Sequence, residues 1–381
     1  MSSTPAHVRP GRSRRGRNWL LLGLAVVLLA VGGGAAIFLS RPHANSAAAT
    51  TAPTKVVPLA VVATSPASGA ANVASDATLA VDLSAPLAAN SPLPTLTPAV
   101  AGSWMSLSAD QLQFVATGAL TPGVQETLTV PGGPAGLVSD QGQHLAQSST
   151  TSFTVAPGST LRLQELLAEL GYLPVTFNPN TQPTSAAQAA DPQQGNFAWR
   201  WANQPASLTA LWTAGTSNVL TRSAIMTFES QHNMTTDGLA GPQVWTALLA
   251  AAASGATDPA PWDYVFVAKT LPETTTVYQN GVVAYTSLAN TGVTGAETAS
   301  GTFPVFLRYQ VTTMTGTNPD GSKYSDPGIP WVSYFNGGDA LHGFVRSSYG
   351  FPQSDGCVEM PPANAAVVWP MTPIGTPVTV Q

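Results

Sequence analysis

Cysteine is almost absent from this sequence, since Cys357 is the only one in 381 residues. One cysteine cannot form a disulfide within the chain, so a disulfide-stapled scaffold is excluded. There is no second cysteine and no His-x-x-x-His pair, which disfavours a zinc site of familiar spacing. The sequence also lacks a Gly-x-Ser-x-Gly elbow and a glycine-rich phosphate loop. These absences leave few positions where chemistry can be sought.

Charged residues are also scarce, at 9% of the chain, against about 25% in a typical soluble protein. The first 41 residues hold six arginines and no acid, so the rest carries 8 basic and 19 acidic groups, a formal charge of −11. An acidic body repels phosphate backbones, which disfavours nucleic-acid binding. Glycine and proline are frequent, but a hydrophobic fraction of 44% is ordinary and argues against disorder throughout.

The N-terminus has the pattern of a membrane anchor. Residues 1–18 form a basic tail, and residues 19–39 are 21 consecutive uncharged, mostly apolar residues. About 20 such residues cross a bilayer, so we predict a single-pass transmembrane signal-anchor at the cell membrane. The arginine excess keeps the tail in the cytoplasm and places the body outside the cell. Residues 40–57 resemble a flexible linker, and small residues near 44–49 leave cleavage and secretion as the alternative.

The predicted fold is multidomain and mainly β. Residues 58–157 contain short alternating runs separated by turn signals, which predicts a β-sandwich. The amino-acid sequences at 65–69, 102–104 and 120–123 resemble those of bacterial Ig-like modules of wall proteins. That resemblance implies a spacer.

Residues 158–254 change to a helical period. Leucines recur at helical spacing before Gly171, and two further helical patterns cover about 216–232 and the residues after Pro242. The two ends of this segment resemble the small three-helix peptidoglycan-binding domain, with an insertion at about 174–215 and Glu229 where Gln is common. The resemblance implies binding to wall glycan or peptide. A helical spacer that no longer binds the wall is the alternative.

Strand patterns return in residues 262–381. The pair Asn280-Gly281 is a strong hairpin signal between two such runs. Further on, His342 and Cys357 are 15 residues apart, a spacing that suits two neighbouring strands joined by a loop. A thiol that attacks a carbonyl needs a base close by, because the thiolate is the reactive form, and histidine supplies one near neutral pH. The alternative is that Cys357 is a small, buried hydrophobic residue with no catalytic role, as a lone cysteine often is.

The residues around this pair resemble the signature of the L,D-transpeptidase catalytic domain. That signature has a His-Gly or His-Ser pair, a variable loop and then Ser/Thr-His-Gly-Cys, and here it is His342-Gly343 followed by residues 354–357. The resemblance extends over nearly all of 262–381. It implies a mostly-β domain in which Cys357 is the nucleophile, His342 is its base and the carbonyl of Gly343 orients the imidazole.

Further roles follow from the same resemblance. The amides of Gly356 and Cys357 line an oxyanion hole, Tyr334 borders the donor site, and Ser354 shapes the loop through local hydrogen bonds. Asp355 stands where the family usually has histidine, and an anion beside Cys357 raises the thiol pKa. Glu359 stands where a basic or amide residue is common, which is expected to change donor or acceptor preference.

The implied reaction is acyl transfer on peptidoglycan stem peptides that forms 3→3 cross-links through a cysteine acyl-enzyme, with no metal and no organic cofactor. Stem peptides and wall glycan are the expected partners, and carbapenem-type β-lactams the expected inhibitors. An L,D-carboxypeptidase or a stem-peptide ligase would use the same thioester with a different acceptor. A catalytically inactive wall-binding structural protein is the remaining alternative.

Overall fold

The computed structural model describes residues 57–181 and 185–381. The chain divides into compact units 1–54 and 55–381, and the described residues belong to the second. The predicted tail, transmembrane segment 19–39 and nearly all of the linker lie outside the described residues. In the described part, no helix has both the length and the apolar character needed to span a bilayer.

The first described module is a pair of β-sheets, as the alternating pattern predicts. Its strands are β1 Val61–Ser65, β2 Leu79–Leu83, β3 Thr95–Thr97, β4 Gly102–Ser108, β5 Gln111–Ala116, β6 Gln125–Val130 and β7 Ser149–Thr154. The two sheets have the strand orders β1-β2-β5-β4 and β3-β6-β7. Every second residue of β2 is buried, because successive side chains of a strand point to opposite faces. The inward faces of the two sheets form the core of this module.

The helical module contains the three predicted helices, α1 Thr160–Glu169, α3 Val219–Gln231 and α4 Pro242–Ser254, with the short α2 Ala206–Thr209 between the first two. The Ser159 hydroxyl accepts from the backbone N–H of Arg162 and caps α1. Gly171, with φ +89°, follows its last turn. Leucines of α1 pack with Phe228 and Trp245 in one core.

The insertion between the first two long helices is folded. β8 Val175–Pro179 and β9 Gly195–Trp199 form an antiparallel hairpin. Phe177 and Phe197 face each other across it, with ring centroids 5.0 Å apart, and both contact the helical core. The Pro/Gln/Ala-rich composition of the stretch gave no strand signal, yet its few aromatic residues cover the helices.

The C-terminal module contains two sheets and one helix. The elements are β10 Asp263–Ala268, β11 Thr274–Gln279, β12 Val282–Leu288, β13 Gly301–Pro304, β14 Leu307–Thr317, β15 Lys323–Asn336, β16 Asp339–Gly343, β17 Val358–Met360, α5 Pro362–Val368 and β18 Pro377–Val380. The strand orders of the two sheets are β12-β11-β10-β18-β13 and β14-β15-β16-β17. The predicted hairpin joins β11 to β12, with positive φ at both Asn280 and Gly281, as a type I′ turn requires.

The helical and C-terminal modules share a core. Tyr264 of β10 is fully buried among the helical side chains, and its hydroxyl donates to Oγ of Ser207 at 3.0 Å. Thr227 of α3 donates to the carbonyl of Ile374 at 3.3 Å, and Gly375 follows directly against the same helix. The two modules are therefore packed as one body across residues 255–262.

Three buried carboxyl groups make stability depend on pH. Burial raises the pKa of Glu126, Glu229 and Asp263 to about 7 in each case. These groups keep their protons in the folded state at pH values where the unfolded chain has lost them. The contribution of these groups to the free energy of unfolding therefore falls as the pH rises from about 4.5 to about 7. The fall is at most about 1.4 kcal/mol for each group and each pH unit.

We expect the triple variant Glu126→Gln, Glu229→Gln and Asp263→Asn to gain stability relative to wild type at pH 7.5, and to gain less at pH 5. Denaturant unfolding at the two pH values measures the difference. An equal gain at both pH values would show that these carboxyls titrate normally in the folded protein.

Candidate active site

The two chemically distinctive side chains lie at the ends of adjacent strands. His342 is on β16, and Cys357 immediately precedes β17. These strands pair in parallel with His342 opposite Glu359. The 15-residue spacing thus places imidazole and thiol on neighbouring strands joined by a loop, which is the arrangement predicted from the sequence.

The imidazole of His342 is held in a defined orientation. The side chain is 3% exposed, and its Nδ1 lies 3.1 Å from the carbonyl oxygen of Gly343. With the proton on Nδ1 donating to that carbonyl, Nε2 has a free lone pair. Burial lowers the pKa of His342, which favours the neutral imidazole. The geometry therefore provides a base at Nε2.

The surroundings of Cys357 favour the protonated thiol over the thiolate. Its Sγ donates to the carbonyl of Gly338 at 3.6 Å. The pKa of this thiol is raised to about 12, mainly by burial; a backbone hydrogen bond from Ala340 lowers it, and the carboxylates of Asp339, Glu359 and Asp355 contribute to the increase. A thiolate must therefore form only as the proton moves to a base, rather than stand as an ion pair beforehand.

Asp339 is a residue that sequence reasoning missed, although it stands three positions before His342. Its Oδ2 accepts from the amide of Ala299 and from Nδ2 of Asn336, both at 3.2 Å. Its Oδ1 lies so close to Gly356 that a Cβ there would come within 2.8 Å of it. Asp339 is therefore hydrogen-bonded to two neighbouring segments and lies against the turn that carries Cys357.

The turn before the thiol has a conformation that suits glycine. Gly356 has φ +112°, in a region that L side chains rarely adopt. Ser354, for which the sequence predicts a structural role, is buried and its Oγ donates to the carbonyl of Cys357 at 2.5 Å. Together they fix the direction in which the thiol projects.

A small cavity of about 50 Å³ adjoins the thiol and the imidazole. Its lining residues are Met314, Tyr324, Asp326, Ile329, His342, Phe344, Arg346, Ser354, Asp355, Cys357 and Glu359. Tyr334 of β15 and Cys357 pack against the same hydrophobic cluster. The pKa of Tyr334 is raised, mainly by burial and then by the nearby thiol. The structure thus brings Cys357, His342, Ser354 and Asp355 to one cavity, with Gly343, Gly356 and Tyr334 directly beside these residues.

Glu359 is neutralised by a cation that the sequence pattern did not connect to it. Its two carboxylate oxygens accept from Nε and Nη2 of Arg346, both at 2.7 Å. Arg346 also donates to the carbonyl of Gln353 and lies over the ring of Phe344 at 4.6 Å. The acid is therefore not free to repel an anionic substrate. Instead, the pair fastens the loop that joins His342 to Cys357.

Breaking this pair should be costly. Arg346→Met leaves the buried Glu359 without a cation, so we expect a loss of about 2 kcal/mol of stability, a figure reduced because Arg346 is one third exposed. The exchange Arg346→Glu with Glu359→Arg should recover part of that loss, as measured by denaturant unfolding. Arg222→Met, which removes an exposed arginine of α3, is the control. If the double exchange were no more stable than Arg346→Glu alone and Glu359→Arg alone, the two side chains would not form a stabilising pair.

A larger cavity, of about 510 Å³, lies in the helical module. Its walls include Arg162 and Glu169 but no thiol and no histidine. Within residues 57–181 and 185–381, no group of three His, Cys, Asp or Glu side chains is arranged to hold a metal ion. The thiol–imidazole cavity is accordingly the stronger candidate for chemistry.

The fold and this site define a two-sheet domain with a thiol and a buried imidazole on adjacent parallel strands. Residues 263–380 match the L,D-transpeptidase catalytic domain, and residues 55–155 match the bacterial Ig-like domain. The C-terminal module of this chain belongs to the L,D-transpeptidase catalytic domain family. Neither match covers the helical module, and no curated protein matches the chain at a significant level.

Several solved structures are similar to the chain. An L,D-transpeptidase from Mycobacterium smegmatis is 14% identical over 85% of this chain and 100% of its own, with a TM-score of 0.29. L,D-transpeptidase 3 from Mycobacterium tuberculosis, in complex with a faropenem-derived adduct, is 13% identical over 84% and 98%, with a TM-score of 0.29. The catalytic domain of the E. faecium L,D-transpeptidase, acylated by ertapenem, is 26% identical over 32% and 100%, with a TM-score of 0.29.

Proposed function

We propose that this protein forms 3→3 cross-links between peptidoglycan stem peptides through an acyl-enzyme on Cys357. The observation that carries the proposal is the placement of the free thiol of Cys357 and the oriented imidazole of His342 at one cavity, in a domain of this family. No cofactor takes part in the proposed reaction.

In the proposed first step, Nε2 of His342 takes the thiol proton as Sγ attacks the carbonyl that precedes the terminal D-Ala of a tetrapeptide stem. The raised thiol pKa supports a coupled proton transfer rather than attack by a thiolate formed in advance. The amides of Gly356, which has a positive φ, and Cys357 are proposed to receive the developing oxyanion. The C–N bond then breaks, and the proton on His342 goes to the leaving D-Ala amine.

In the second step, an amine of a neighbouring stem resolves the thioester. Tyr334 is proposed to border the donor stem, because Tyr334 and Cys357 pack against the same hydrophobic cluster and the thiol contributes to the raised pKa of the phenol. The Gly343 carbonyl keeps His342 in one tautomer through both steps.

The remaining parts of the chain suit delivery of this domain to the wall. We propose that segment 19–39 anchors the protein in the cell membrane, or is cleaved to release it, and that the Ig-like module extends the body outward. The helical module is proposed to bind wall glycan or peptide. Carbapenem-type β-lactams are proposed to acylate Cys357, since they present a strained carbonyl to the same nucleophile.

The reaction is tested by incubating the purified protein with a tetrapeptide-stem muropeptide and analysing products by mass spectrometry. We expect loss of D-Ala and a cross-linked dimer. A tripeptide alone would indicate water as the acceptor, and therefore an L,D-carboxypeptidase. Stems joined to an added amine alone would indicate a ligase. Binding to sacculi without any D-Ala release would support an inactive wall-binding protein.

A further inference from the structure

The insertion in the helical module contributes one wall of a cavity that is about ten times larger than the catalytic one. This cavity of about 510 Å³ lies between α1, α4 and the inserted residues. Leu166 of α1, Leu249 of α4 and Phe177 of β8 stand on its three sides. Pockets that bind small ligands usually measure about 300–1,000 Å³. The segment inserted at about 174–215 therefore helps to build a space of ligand size.

Most of the wall of this cavity is apolar and made of small or aliphatic side chains. Ala252 and Ala253 of α4 and Ala189 of the insertion contribute only methyl groups, and Pro179 adds a ring edge. Removing apolar ligand surface from water against such walls contributes about 25 cal/mol per Å². The walls therefore favour a ligand that carries short aliphatic side chains.

A buried arginine supplies a polar group at this cavity. Arg162 lines the cavity and is 4% exposed. Its Nε donates to the carbonyl of Ala189 at 2.9 Å, and its Nη1 donates to Glu165 and Glu169 at 3.0 and 3.2 Å. Within the part of the chain that the structure describes, nothing accepts from its Nη2. This nitrogen is therefore a donor available to a ligand.

Acceptors lie beside that donor. Glu169 uses only Oε1 for Arg162. The Nε2 of Gln193 donates to two carbonyls of the inserted stretch, which leaves its Oε1 as an acceptor. Each residue of a peptide backbone carries one donor and one acceptor, so a peptide matches this mixture. A small free anion is served less well, because the guanidinium already faces two carboxylates.

A sugar ring would also find little to bind here. Sugar rings bury their apolar faces against exposed aromatic rings. Among the described lining residues of this cavity, Phe177 is the one aromatic residue. It is 7% exposed, and its ring packs against Phe197 with centroids 5.0 Å apart. The cavity consequently offers no open aromatic face for stacking.

We propose that this cavity binds a wall stem peptide, through its backbone amides and its short aliphatic side chains, and does not bind wall glycan. The inference rests on the proposed function and decides what the helical module recognises. Because the helical and C-terminal modules share a core, a peptide held here keeps the domain that carries Cys357 among the stem peptides of the wall.

The test uses the full-length protein and a tetrapeptide stem whose first residue carries a photoreactive diazirine. After irradiation, peptide mapping by mass spectrometry locates the label. We expect label on the segments that contain α1 and α4, in addition to any label near Cys357. An excess of unlabelled tetrapeptide should remove the label from α1 and α4, whereas an equal excess of peptide-free glycan oligosaccharide should not. Removal by the glycan would overturn the assignment to a peptide.

A cavity-filling variant with a matched control locates the site. Ala253 is exposed on α4 and lines the cavity, so Ala253→Trp fills the space without removing a buried contact. We expect the label on α1 and α4 to fall about tenfold, which corresponds to about 1.4 kcal/mol of binding free energy. Ala250→Trp makes the same change at an exposed position of α4 outside the cavity, and its label should equal that of wild type.

The outcomes separate this site from the proposed reaction. Equal label in Ala253→Trp and Ala250→Trp, or no label on α1 and α4 of wild type, would overturn the peptide site. D-Ala release by wild type would then leave the proposed reaction standing. The expected pattern of label without D-Ala release would support the peptide site and overturn the proposed reaction.

Discussion

Cys357→Ala should abolish D-Ala release, with a fall of at least about a thousandfold from the wild-type rate, because Cys357 carries the one thiol in the sequence. Cys357→Ser should be nearly as inactive, since a hydroxyl is a far weaker nucleophile at neutral pH. His342→Gln keeps a polar group of similar size but removes the base, so we expect a loss of about 10²- to 10⁴-fold. Steady-state D-Ala release from a tetrapeptide stem measures all three.

Thermal unfolding serves as the control, because it shows whether each variant is still folded. Thermal unfolding of Cys357→Ser should match that of wild type, because the substitution changes one atom of a side chain that is not fully buried. Turnover by Cys357→Ala within tenfold of the wild-type rate would show that another group performs the chemistry.

Gly375→Ala should be among the most destabilising single changes outside the active site. Gly375 has φ +90°, and an added Cβ would overlap Oγ1 of Thr227 and lie 2.6 Å from the carbonyl oxygen of Ser223, both on α3. Backbone atoms cannot move aside cheaply, so we expect a loss of about 3 kcal/mol or more of unfolding free energy. Denaturant unfolding measures it.

Gly321→Ala provides a matched comparison for that substitution. Gly321 has φ +87°, but nothing lies within 4 Å of a Cβ built there. It should therefore cost only the backbone strain, about 1 kcal/mol. The difference between the two variants reports the packing of α3 against the C-terminal module. Equal costs would mean that the two modules are not tightly packed in solution.

Local signals predicted much of this fold. The Asn280-Gly281 turn is encoded by two residues that tolerate positive φ, and Gly171 marks the end of α1 for the same reason. The placement of His342 on one strand and Cys357 at the start of the neighbouring strand was also predictable, because a spacing of 15 residues leaves room for a strand, a loop and a second strand.

Features that depend on strand register were not predictable. The partner of Glu359 is Arg346, 13 residues away on a loop, and nothing local connects them. Asp339 approaches Gly356 only because β16 and β17 are adjacent. The β8–β9 hairpin arises from aromatic side chains meeting the helical core rather than from strand propensity. Long-range packing decided each of these features.

The intact mass of the protein after exposure to a carbapenem, followed by peptide mapping, tests the central claim most directly. We predict one adduct per chain, located on the peptide that contains Cys357, and no adduct on the Cys357→Ala variant. An unmodified wild-type protein, or an adduct mapped to another residue, would contradict the assignment of Cys357 as the acylated nucleophile.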